Sequence, residues 1–429
     1  MNLRTYNRIL RLATPLIFLR LLWRSRKNPV YRQNWRQRLG HCPITMIPGC
    51  IWVHAVSVGE AQAAAPLVRQ LLQRYPEREV LITTTTPTGA DHVLKLYGER
   101  VYHCYFPLDL PSAVARFLDR VQPGLLLLME TEVWPNLLLA CHQRGIPSLL
   151  ANARLSEKSA RRYAQAGELT QQVFGWIERI AAQSEADAAR FIGLGVAAER
   201  VQVTGSLKFD LSLPASLYEQ AEVLRRGFGQ ERPVWVAAST REGEEALILQ
   251  AQRLLLQHQP NTLLILVPRH PERFDAVETL CRQQGFVVQR RSRQPQCRPD
   301  SQVYLGDSMG ELSLLLAAAD AAFVGGSLVP LGGHNVLEAA VLGKPVCFGP
   351  HMFNFAAISQ MLLEAQAAAQ VQNPSQLAEL MARWLSDASL RERLGSRGRA
   401  VVAANRGAGE RLMGLLGALL EPDGTDRMN

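Results

Sequence analysis

The stretch IWVHAVSVGEAQAAAPLVRQLL, residues 51–72, passes from an apolar strand through a Ser-Val-Gly turn into a helix that opens on Glu60. A carboxylate in a first helical turn is favoured by the partial positive charge there, so trim of the helix dipole is one reading of Glu60. The other is a general base, held where a parallel sheet presents its strand ends to a ligand. Apolar walls would raise its pKa toward neutrality and make it useful in that role. Glu130 closes the run LLLLME, so a second carboxylate emerges at the carboxyl edge of a buried strand. Lys208, in GSLKFD, follows the last strand of the first half and on its own reads as a solvated lysine. Glu132 reads as the cap of a helix that begins near Trp134.

A second group of residues suits a phosphate. FVGGSLVPLGGHNVLEAAVLGKPVCFGP, residues 323–350, runs strand, glycine loop, helix from about Asn335, then Gly-Lys-Pro and another strand. Backbone N–H groups of Gly332, Gly333, His334 and Asn335 at a helix N-terminus would receive an anion. Glu338, one turn on, stands where a carboxylate accepts hydrogen bonds from a ribose. A plain turn is the competing reading of the loop. Pro268 and Arg269, in ILVPRHPERF, lie just past another apolar strand, where Arg269 can pair with a phosphate. Met309, Gly310 and Glu311 open a further helix, where backbone groups can read a base. Arg241, in STREGEE, is as consistent with a surface ion pair as with a ligand contact.

Other chemistries find no support. The turn after the first strand reads S-V-G-E, not G-x-G-x-x-G, and no P-loop occurs. Seven cysteines are scattered singly without C-x-x-C, and the nine histidines show no H-x-x-x-H pairing. Neither a metal nor a cofactor is expected, and the lone thiols fit a reducing compartment. His54 is expected to face the core or back the first turn, and His334 to order the glycine loop.

The elements that must position these groups alternate short apolar runs with amphipathic helices, the pattern of a parallel α/β sheet. Strand candidates are 51–56, 80–83, 101–106, 124–130, 147–153, 179–184 and 201–206. In the helix at 60–74, Ala64, Leu67, Val68, Leu71 and Leu72 form the apolar stripe. PVWVAASTREGEEALIL, residues 233–249, repeats the opening device, and strands follow at 262–268, 286–292, 302–307, 320–327 and 345–350. The reading is α/β, with two Rossmann-like doubly wound domains, 41–215 and 216–429, facing across a cleft. The tail from Glu421 is expected to fray.

Hydrophobic residues make up 47% of the 429 and charged residues 20%, which excludes a disordered chain. Ten of the 47 Lys and Arg residues fall within 1–40, where no Asp or Glu occurs. The remaining 37 basic residues therefore meet 38 acidic ones, and the body is near neutral. Its neutrality argues against a nucleic-acid partner, which would want basic stripes on the body. ILRLATPLIFLRLLW, residues 9–23, is broken by Arg11, Pro15 and Arg20, so it is a poor membrane span. Arg4, Arg8 and Arg11 share one helical face, the pattern of a basic amphipathic anchor at a membrane surface, with the body on the cytoplasmic side. A first helix packed on the protein itself is the alternative.

HAVSVGE, ETEVWPN, GSLKFD, VPRHPERF and GGSLVPLGGHNVLEAA, in this order, closely resemble the 3-deoxy-D-manno-octulosonate (Kdo) transferases of lipopolysaccharide synthesis, over nearly the whole chain. The resemblance implies a GT-B glycosyltransferase fold, metal-free inverting transfer, CMP-Kdo as donor and no further cofactor. It implies the lipid A precursor as acceptor, and attachment to anionic lipids of the inner membrane's cytoplasmic face. Carried across by position, Glu60 falls on the family's catalytic base, and Glu130 and Lys208 on transition-state stabilisers. Pro268, Arg269, Met309, Gly310, Glu311, Asn335, Val336, Leu337 and Glu338 fall on the CMP contacts. In that setting Lys208 would hold the Kdo carboxylate or pair with Glu130. A UDP-sugar transferase or epimerase on the same fold is the alternative within enzymes.

Overall fold

The computed structural model describes every residue except 27, 212, 295 and 422–429, so the expected frayed tail lies outside the described residues apart from Glu421. Two compact units emerge. One holds Met1–Asp210 together with the described residues from Arg406, the other Leu211–Asn405.

The first unit is built on seven strands: β1 (Cys50–His54), β2 (Val80–Thr84), β3 (Tyr102–Tyr105), β4 (Pro123–Met129), β5 (Ser148–Ala153), β6 (Arg179–Ala182) and β7 (Val201–Val203). They pair in parallel in the order β3-β2-β1-β4-β5-β6-β7. Side chains alternate across this sheet. Trp52, Leu126, Leu128 and Leu150 enter one buried layer; Ile51, Val53, Leu125 and Leu127 enter the other. Both faces are covered, which is why the strands read as continuous apolar runs.

The second unit repeats the plan with β8 (Val234–Thr240), β9 (Leu263–Pro268), β10 (Val288–Arg290), β11 (Val303–Leu305), β12 (Ala321–Val324), β13 (Val346–Phe348) and β14 (Ala368–Gln370). Their order is β10-β11-β9-β8-β12-β13-β14, again parallel. In each sheet the strand order reverses beside its first strand, β1 or β8. Ligands of open parallel sheets bind outside the carboxyl ends at such a switch point. Glu60 follows β1, and Arg241 follows β8.

Two elements differ from expectation. β14 is a three-residue edge strand, AAQ, too short and too weakly apolar to stand out. The last helix, Ala408–Leu420, falls in the expected second domain, 216–429, yet it packs in the first. Its Leu412 and Leu416 join the buried layer that holds Leu67 and Leu71. The Asp210 carboxylate fixes its start by accepting from Gly407 N (2.8 Å) and Gly409 N (2.6 Å).

The N-terminal helix spans Leu3–Arg24. Its inner face packs on the first unit. The Tyr6 hydroxyl donates to the buried Asp109 carboxylate (2.9 Å), and Asn7 accepts from Asn136 Nδ2 (2.7 Å). Its outer face carries Ile9, Leu12, Leu16, Leu19 and Trp23, each between 55% and 79% exposed. Their 3-4-3-4 spacing lines them along one stripe. No helix among the described residues is long and apolar enough to cross a membrane.

Candidate active site

Ser57 caps the helix Val58–Arg74, its hydroxyl accepting from Glu60 N (3.4 Å). Glu60 reaches back, accepting from Val56 N at 2.6 Å and from the Ser57 hydroxyl at 3.2 Å. S-V-G-E is thus a variant of the capping box, and Glu60 has a structural role at this helix start. It does not exclude a base. Each carboxylate oxygen has two lone pairs, so capping leaves acceptor capacity while fixing the rotamer. Burial pushes the Glu60 pKa up to about 7, and the Glu130 charge adds to this against the Val56 and Ser57 hydrogen bonds.

His54 lies opposite Leu128 in the β1–β4 ladder, so the Glu60 turn and Glu130 leave adjacent strands at one edge. Glu130 adopts the left-handed region, φ 56°, while its N–H still donates to Ala151 O (2.9 Å). For a residue with a Cβ this conformation costs on the order of 1–2 kcal/mol, and such strain gathers at functional sites. Asn152, φ 53°, turns the neighbouring strand the same way. Its Oδ1 accepts from Leu207 N (3.1 Å), clamping the 3₁₀ turn Leu207–Phe209 that carries Lys208. Lys208 is half-buried rather than solvated. Burial lowers its pKa, and Glu130 opposes that.

Glu132 does not cap the next helix. Trp134 holds the cap position and makes no side-chain cap bond. Burial pushes the Glu132 carboxyl up to about 7, with the charges of Glu60 and Glu130 adding. The buried Trp134 indole beside it opposes that rise. This edge therefore gathers Glu60, Glu130, Glu132 and Lys208, and Arg154 acts on Lys208. Glu132 and Arg154 were not singled out as functional from sequence; the Glu-Thr-Glu spacing at a strand end was the available signal. His54 is structural, as expected. It stacks on Phe106 (ring centroids 3.8 Å), meets Thr83 Oγ1 at 2.9 Å, and is pushed down to about 3 by burial.

In the second unit, Pro268 ends β9 in the core and Arg269 stands exposed beyond it, its N–H donating to Thr240 O (3.0 Å). The glycine loop is tightly packed. A Cβ on Gly332, φ 93°, would lie 2.3 Å from Asn354 Nδ2, and one on Gly333, φ 72°, 2.2 Å from Met352 Sδ. The helix after it spans only Leu337–Val341. One turn of aligned peptides carries little dipole, so at this loop the helix itself adds little to the pull on an anion.

Asn335 Oδ1 accepts from Leu337 N (3.1 Å) while its Nδ2 donates to Glu338 Oε1 (3.3 Å). Burial raises the Glu338 pKa, and Arg269 draws it down. Val336 and Leu337 are fully buried, so neither side chain is presented to a ligand. Arg291 grips the Glu311 carboxylate at 2.8 and 3.2 Å. That carboxylate is committed, leaving the backbone of the turn and the exposed Met309 for recognition.

Residues 33–211 match the family model described as 3-Deoxy-D-manno-octulosonic-acid transferase (kdotransferase). The chain is 44% identical to the 3-deoxy-D-manno-octulosonic acid transferase of Haemophilus influenzae, over 97% of this chain and 98% of that one. It is 37% identical to the enzyme of the same description from Bordetella pertussis, over 96% and 98%. Among solved structures, UDP-GlcNAc 2-epimerase from Neisseria meningitidis bound to UDP-GlcNAc aligns with a TM-score of 0.57 at 16% identity, over 85% of this chain and 99% of that one. Anabaena HepE in complex with UDP aligns at 0.56 and 17%, over 86% and 100%. At these identities the likeness is one of fold.

Proposed function

Because the chain belongs to the 3-deoxy-D-manno-octulosonic acid (Kdo) transferase family, we propose that it takes Kdo from CMP-Kdo and attaches it, with inversion, to a hydroxyl of the lipid A precursor. Glu60 removes the hydroxyl proton as that oxygen attacks the anomeric carbon of Kdo. The bond from this carbon to the phosphate oxygen breaks, and CMP leaves with the electron pair. The observation that carries this reading is the Glu60 carboxyl, fixed at a switch-point edge and raised to about 7, where a base is most effective. Lys208 meets negative charge on the Kdo carboxylate, and Glu130 keeps that lysine protonated against burial. Pro268, Arg269, Met309, Gly310, Glu311 and Asn335–Glu338 hold CMP, with Arg269 on the phosphate and Glu338 on the ribose. Arginine offsets the charge of a monophosphate leaving group without a metal. Mass spectrometry after incubation with CMP-Kdo, lipid A precursor and EDTA is expected to show the acceptor heavier by one or more Kdo units. No gain with CMP-Kdo, or competition by UMP in place of CMP, would overturn the assignment.

The outer stripe of the N-terminal helix supports attachment to anionic lipid at the inner membrane's cytoplasmic face. Arg8 and Arg11 flank the apolar stripe on one side and Arg20 on the other, so leucines enter the acyl boundary while guanidinium groups meet phosphates. Leu12→Glu with Leu16→Glu in the full chain is expected to lower partition onto phosphatidylglycerol-containing vesicles at least about tenfold, since each buried leucine contributes roughly 1.5–3 kcal/mol. Unchanged vesicle binding would reject the anchor.

A further inference from the structure

We infer that Arg241 is a second phosphate-binding residue of the donor site, positioned for that task by the buried carboxylate of Glu244. The inference rests on the CMP-Kdo reading above. Glu244 is fully buried and makes no ion pair among the described residues; it takes backbone N–H groups instead. It accepts from Gly326 N (2.6 Å), Leu328 N (2.9 Å), Ser327 N (3.0 Å) and Arg241 N (3.3 Å). One carboxylate thereby ties the turn after β8 to the loop after β12. It also fills the nest of N–H groups in that loop, so a ligand's phosphate has to be met by side chains.

The side chains are there. Gly326 has φ 69°, and a Cβ on it would lie 3.1 Å from the His334 ring and 3.5 Å from Arg241 Cγ, so both groups pass close over this glycine. Arg241 Nη1 donates to His270 Nε2 at 2.6 Å. A guanidinium has only donors, so that nitrogen accepts and the imidazole is neutral. Burial disfavours a proton on the His270 and His334 rings, and the charges of Arg241 and Arg269 add to this on both. Among the described residues no carboxylate pairs with Arg241 or Arg269. Glu242 and Glu245 are engaged with Arg273 (3.4 and 3.1 Å) and Glu272 lies near His270 (3.9 Å), while Glu338 acts on Arg269 without forming an ion pair and bonds Asn335.

Two guanidinium groups over neutral imidazoles match the charge change of the reaction. The donor phosphodiester carries one negative charge, and the departing monoester approaches two above a pKa near 6. A second cation beside Arg269 meets the charge that appears as the bond breaks.

The test compares CMP with cytidine by calorimetry on the full chain. Arg241→Ala is expected to weaken CMP about 10- to 100-fold, the range for a lost charge-assisted hydrogen bond, and to leave cytidine unchanged. Glu244→Gln is expected to lower the CMP-to-cytidine preference in the unaltered background and to change it less than about twofold in Arg241→Ala, because it acts through Arg241. Unchanged CMP affinity in Arg241→Ala, or equal losses for CMP and cytidine, would overturn the phosphate role. An equal effect of Glu244→Gln in both backgrounds would overturn the positioning. An unaltered chain that binds no CMP would overturn the donor reading itself.

Discussion

Glu60→Gln is expected to lower kcat by about 10²–10⁴-fold, the range for loss of a general base, while CMP affinity stays within about twofold. Glutamine is the informative replacement, because its carbonyl oxygen still accepts from Val56 N and preserves the helix cap. Any loss then reports the proton acceptor and not the fold. In the unaltered enzyme kcat is expected to climb with pH to a plateau above about 7, since Glu60 must be ionised to accept a proton. Glu132, also near 7 and facing Glu60, shares that limb, so the apparent value belongs to the pair. Glu132→Gln removes a like charge; the limb moves to lower pH and turnover at pH 8 is kept. Stability follows the opposite slope. The folded chain holds the Glu60 proton more tightly than the unfolded chain, whose carboxyl titrates near 4.5. The associated stability is present below that value and is lost as pH rises through about 7. Glu60→Gln should therefore melt higher, relative to the unaltered chain, at pH 8 than at pH 4.5. Near-normal turnover in Glu60→Gln would remove it as the base, and a plateau extending down to pH 5 would show that the carboxyl is not raised.

Lys208→Met is expected to cost about 10²–10³-fold in kcat, the scale of one preorganised electrostatic contact in a water-poor site. The clamp that places it, Asn152 Oδ1 accepting from Leu207 N, does not involve the Lys208 side chain, so methionine leaves the turn intact. Removing the cation also strips Glu130 of a partner and strengthens its repulsion on Glu60, which moves the pH limb further up. Lys208→Arg should recover part of the rate because charge is kept, although the planar fork fits the space differently. A methionine variant within threefold of normal kcat, with an unmoved limb, would reduce Lys208 to a packing residue.

Much of the scaffold could be read in one dimension. A parallel strand covered on both faces must be apolar along its length, so LLLLM and LLILVP announce themselves, and the residue after each stands at a ligand-binding edge. Glu60, Glu130, Pro268 and Arg269 were found that way. S-x-x-E before an apolar helix likewise marks the cap that holds Glu60.

The rest depended on which strand ends become neighbours, and no local pattern encodes that. Glu132 reads as a helix cap in one dimension; with β4 beside β1, burial and then the Glu60 and Glu130 charges raise its pKa. Glu244 meets three of its four hydrogen-bond donors more than eighty residues away because β12 pairs with β8. The last helix left the domain it follows in sequence because Leu412 and Leu416 complete a layer in the other. Chain order thus determined which side chains reach a sheet edge. Strand order, set only when the sheets assemble, decided the charges around each of them and so the protonation on which the chemistry rests.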